Sequence, residues 1–113
     1  MSDEIFYIIM RNGYDSLPQS WQFYKKAGIR NLEQFCDPAE NKQRPVQNMF
    51  YKFVDATING KFQKIMQDLV GYLESSYKVK VKKIIGKFII DKNMQINLTG
   101  LQELLIDVPE FGM

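Results

Sequence analysis

Between residues 62 and 73 apolar side chains recur at steps of three and four, at Phe62, Ile65, Met66, Leu69, Val70 and Leu73. No other feature constrains the chain as tightly, because that spacing lines one side of an α-helix and would scatter over both faces of a strand. It predicts an amphipathic helix running through Glu74. The same steps occur upstream at Met49, Phe50, Phe53 and Val54, predicting a helix from about Val46. Downstream, Val81, Ile84, Ile85, Phe88 and Ile89 fit a helix from about Val81 whose lysines face outward. Lys78 to Lys82 alternates as a strand would and is rich in valine, but the helical spacing is the stronger match. Leu101, Leu104 and Leu105 carry a short last helix to Asp107, ahead of Val108 and Pro109.

The N-terminal third reads the same way. Ser2 can cap a helix holding Ile5, Ile8 and Ile9 and stopped by Gly13, although six consecutive apolar residues at 5–10 make a strand over residues 4–10 a rival. Pro18 opens a second helix through Trp21 and Tyr24, closed by Gly28. Asn31 caps a short turn at 32–35, and the polar stretch at 37–45 is a loop. The expected fold is therefore mainly α. A helical segment at 1–44 precedes a helix-loop-helix lobe at 45–113, and the 113 residues form one domain.

Composition narrows the chemistry. With 45% hydrophobic residues the chain can bury a core. Six acids oppose six bases in residues 1–44 and seven oppose nine in the remainder, so no global polyanion-binding field is expected. The absence of histidine removes the usual neutral-pH base and the commonest transition-metal ligand, so the chain is not expected to be an enzyme. An acid–base pair such as Asp55 and Asp91 would lack a nucleophile or a phosphate loop beside it. No cofactor is expected. The lone Cys36 fits a reducing, intracellular and cytoplasmic setting, and residues 5–10 are too short for a targeting or membrane-spanning segment.

Two polar stretches, DATINGKFQKIM at 55–66 and DKNMQINLTGLQ at 91–102, begin 36 residues apart. Each starts with an acid, places oxygen-bearing residues third and fifth, and carries an apolar residue (Phe62, Leu98) eighth. In this they resemble the twelve-residue loops of a paired EF-hand, the calcium-binding unit of calmodulin, parvalbumin and the myosin light chains. The resemblance covers residues 46–107 and implies two helix-loop-helix units joined by a short β-bridge between the loops. It would assign the ion positions to Asp55, Thr57, Asn59, Lys61, Gln63 and Met66, and to Asp91, Asn93, Gln95, Asn97, Thr99 and Gln102. Met66 and Gln102 stand where the family has its bidentate glutamate, and Ile96 replaces the loop glycine, so no calcium binding is expected. Plain polar turns are the bland alternative.

What such a degenerate, calmodulin-like lobe keeps is recognition. The resemblance implies a protein-interaction or scaffold subunit holding a partner's amphipathic helix, or a larger assembly, in a groove. The groove residues would be Phe50, Phe53, Met66, Leu69, Leu73, Ile85, Phe88, Ile89, Leu101 and Leu105, most of which are equally plain core. A homodimer burying its own groove is a further option. A rival reading has Lys78, Lys80, Lys82, Lys83 and Lys87 contact nucleic acid or an acidic membrane, although such a run is ordinarily a solvated face.

Overall fold

The computed structural model describes residues 4–12, 19–26 and 50–107, and shows a single antiparallel sheet with one helix on it. The strands are β1 (Glu4–Arg11), β2 (Ser20–Lys26), β3 (Phe50–Lys52), β4 (Lys80–Ile90) and β5 (Ile96–Asp107), and α1 (Ala56–Tyr77) links β3 to β4. The sheet order is β3-β2-β1-β4-β5. Of the described residues 55% are strand and 29% helix. The expected mainly-α fold is therefore wrong, and so is the EF-hand resemblance, with its helical, calmodulin-like subunit and its loop-to-loop bridge.

The first supposed ion loop is the start of α1. Asp55 is the N-cap, its side chain accepting the Ile58 amide at 3.1 Å, and Thr57, Asn59, Lys61, Gln63 and Met66 are all helical. The aspartate satisfies one of the amides a helix leaves unpaired at its N-terminus, so the acid that resembles an ion ligand has a structural use. The second supposed loop is the β4–β5 hairpin. Asp91 Oδ1 accepts the amides of Asn93 and Gln95, both at 2.9 Å, and Met94 takes a left-handed φ of 64° to close the turn. Asn97, Thr99 and Gln102 are then residues of β5.

The strand rival for residues 4–10 is the one that holds. β1 is the central strand, with Phe6, Ile8 and Met10 on the helix side and Tyr7 and Ile9 on the other, all buried. Burial on both faces explains the unbroken apolar run. Residues 20–26 form β2 instead of a helix, with Trp21 and Phe23 packed on the helix side. Residues 50–52 form β3, and residues 81–89 and 101–107 belong to β4 and β5. The cap at Ser2, the stops at Gly13 and Gly28, the turn at 32–35, the loop at 37–45 and Cys36 lie outside the described residues.

Two cores result. Phe62, Met66 and Val70 of α1 pack on Phe6, Ile8, Met10, Val81, Ile84, Phe88 and Ile90. Phe62 sits between the two strands, its ring 5.1 Å from Phe6 and 4.9 Å from Phe88. Beneath the sheet, Tyr7, Ile9, Tyr24 and Ile85 cluster with Ile5 and Phe50. Among the described residues no helix is long and apolar enough to cross a membrane.

Candidate functional site

The expected groove residues separate. Met66 and Phe88 are core, Leu69, Leu73 and Phe53 pack against that core, and Ile85 and Phe50 belong to the opposite cluster. Ile89 lies on β4 across from Asn97. Leu101 and Leu105 alone of the ten reach the surface as large exposed apolar residues, both on β5.

The five lysines also part company. Lys78 terminates α1 in a left-handed conformation, Lys80 lies opposite Asp107, and Lys82 is an extra residue in β4, where Asn12 bonds to the carbonyls of Val81 and Lys82 at 2.6 and 2.9 Å. Lys83 is buried and salt-bridged to Glu103 at 3.0 Å. Lys87 lies across from Gly100. Lys80, Lys83 and Lys87 share the sheet face away from α1, opposite Asp107, Leu105 and Tyr7, but Lys83 is buried there against Glu103.

The feature that stands out is β5 itself. It is an edge strand of twelve residues among the described elements, whereas β3, the opposite edge, has three. Register with β4 sets its faces. Leu98, Leu101, Leu104 and Ile106 lie opposite Phe88, Gly86, Ile84 and Val81 on the helix side, and Glu103 and Leu105 lie opposite Ile85 and Lys83 on the other. Leu101, Leu104, Leu105 and Ile106 are 41, 39, 46 and 44% exposed, so apolar side chains stand open on both faces of one edge. Two register shifts leave Thr99 and Gln102 as extra residues in β5, and residues 103–105 then pair regularly with Lys83, Ile84 and Ile85. Bulges blunt an edge by bending it away from other strands. The two in β5 stop short of residues 103–107, where the exposed residues concentrate, and the extra residue there, Lys82, belongs to β4, between the partners of Leu105 and Ile106.

Electrostatics leave that part open to pairing. Its charges are Glu103, held by Lys83, and Asp107, opposite Lys80, and the strand carries no lysine or arginine of its own to repel an incoming chain. Among the described residues no group of three or more Asp, Glu, Cys or His side chains could hold a metal ion. The sequence points to Leu101 and Leu105 as groove residues and to Leu104 only as part of a short last helix, and it gives Ile106 no role. A run of apolar residues near Asp107 was visible, but its place at an edge depends on the order of strands far apart in the chain. No family model matches this chain, and no curated protein or solved structure is significantly similar to it.

Proposed function

We propose that this chain is a non-catalytic protein-interaction module that receives a partner strand along residues 103–107 of β5. The observation that carries this reading is the exposure of Leu104, Leu105 and Ile106 on alternate faces of an edge strand. An added strand flanks both faces of the sheet at once and covers all three while pairing the free backbone groups. An amphipathic helix lying on one face would leave either Leu105 or the Leu104/Ile106 pair in water. That favours a strand partner over the helix partner expected from sequence. An intracellular, cytoplasmic setting accords with the lone cysteine. Anion binding by the lysines of residues 78–87 is the weaker reading, since Lys83 is spent on Glu103.

A short synthetic peptide built around Lys-Leu-Leu-Leu-Lys tests the reading, its leucines meeting Leu104, Leu105 and Ile106 and its lysines complementing Glu103 and Asp107. Saturable changes in the amide resonances of residues 103–107, with β2 and β3 undisturbed, are expected. Binding that instead perturbs α1, or no binding at millimolar peptide, where even contacts of about −4 kcal/mol register, would sink it.

A further inference from the structure

We infer that the strand taken up by β5 is β5 of a second copy of this chain, paired antiparallel about a two-fold axis at Leu105; this rests on the strand-adding reading above. The partner that edge requires has apolar side chains on both faces over three consecutive residues, with any charges confined to the ends. Residues 103–107, Glu-Leu-Leu-Ile-Asp, are themselves such a segment.

Register decides whether the fit is real. With the axis at Leu105, Leu105 faces its own copy on one side of the sheet, and Leu104 faces Ile106 of the second copy, twice, on the helix side. Moving the axis to Leu104 sets Leu105 against Glu103 and Ile106 against Gln102, which is the bulge residue. Moving it to Ile106 sets Leu105 against Asp107. Among the described residues only the Leu105 axis gives three apolar pairs. Its cost is that Glu103 faces Asp107 of the second copy at each end, a like-charge pair eased by Lys83 at 3.0 Å from Glu103 and by Lys80 opposite Asp107.

The alternative use of the edge, β5 against β3 of another copy, would rest on three residues, Phe50 to Lys52, and would propagate as an open filament. Self-pairing at β5 closes after two copies, making a ten-stranded sheet with both α1 helices on one side. Five residue pairs bury far less than the roughly 1,200 Å² of a standard stable interface, so the dimer is weak, with Kd on the order of 10 μM to 1 mM.

Sedimentation equilibrium of the full chain up to about 1 mM, a concentration that populates interfaces as weak as −4 kcal/mol, tests this. A monomer–dimer equilibrium is expected. Leu105→Glu puts a carboxylate beside Lys83 within its own chain and opposite an identical carboxylate across the axis, so it should hold the fold, checked by its unfolding midpoint, and leave only monomer. Asp107→Asn removes both like-charge pairs and should tighten the dimer about three- to tenfold. A wild-type monomer throughout, a dimer indifferent to both substitutions, or mass growing beyond two copies would each overturn the inference. A monomeric chain that still binds the leucine–lysine peptide at residues 103–107 would leave strand addition standing and remove only the second copy; failure of both would remove both.

Discussion

Two glycines in neighbouring strands respond oppositely to the same change. A Cβ at Gly86 would lie 2.7 Å from Met66 Sδ and 3.2 Å from Leu98 Cδ1, and Met66 is wholly buried with nowhere to retreat. Gly86→Ala should therefore cost about 1–2 kcal/mol in chemical denaturation, as overpacking does. Gly100 has nothing within 4 Å of its would-be Cβ, so Gly100→Ala should gain about 0.5 kcal/mol by narrowing the unfolded ensemble. Equal costs at the two sites would contradict the packing of α1 on β4. On the other side of the sheet, burial pushes the Tyr7 phenol above its ordinary pKa of 10.0. Below pH 10 the phenol is neutral both folded and unfolded, and stability is unaffected. As pH rises past 10 the unfolded chain releases the proton while the folded one resists, so stability falls toward the raised folded value. Alkaline unfolding curves should decline less steeply for Tyr7→Phe than for the wild type.

At the scale of elements, α1 ends at a non-glycine residue in a glycine's conformation. Lys78 has φ 56°, and the last turn of α1 is tied to β4 by Glu74, whose Oε2 accepts the Val81 amide at 2.9 Å. Lys78→Gly should stabilise the fold by about 1 kcal/mol, since a left-handed residue with a Cβ costs about 1–2 kcal/mol; an unchanged thermal midpoint would refute the cap. The helix was the most legible element, because Phe62, Met66 and Val70 face one core and keep strict helical spacing over about two turns. The strands were misread for a physical reason. An extra Lys82 puts Val81 and Ile84 on one face three residues apart, and extra Thr99 and Gln102 do the same for Leu98, Leu101 and Leu104. Each bulge turns a period of two into a step of three, which a helix template accepts. β4 is also buried on both faces, at Ile84 and Phe88 on one and Lys83 and Ile85 on the other, so alternation of polarity is lost. The acids at 55 and 91 were legible as loop openers but not as caps, since a carboxylate accepting amides and one binding an ion demand similar neighbours in sequence. Of the edge itself, the leucines were legible and the edge was not.

For the whole molecule, the sheet joins two stretches of chain that local pairing cannot unite. β1 pairs with β2 on one side and with β4 on the other, Glu4 meeting Ile90 and Arg11 meeting Lys83. That central ladder closes across most of the sequence and carries a large loop-closure entropy, so it depends on what spans it. α1 does so through one ring. Phe62 touches Phe6 of β1 and Phe88 of β4, and Phe6 in turn meets Phe53 beyond β3 at 4.8 Å. If Phe62 holds both halves, the molecule unfolds as one unit. Trp21, the chain's one tryptophan, reports from β2, and the helical circular-dichroism signal reports from α1. Both should give the same denaturant midpoint in the wild type, as coincident probes do in a two-state transition. Phe62→Ala should lower the two midpoints together, by a stability loss of about 3–5 kcal/mol typical of an emptied aromatic site. Conservative Phe62→Leu should lose less and keep them coincident. If the tryptophan transition instead preceded the helical one, β2 and β3 would be a separately melting flap, and the single cooperative domain would be two.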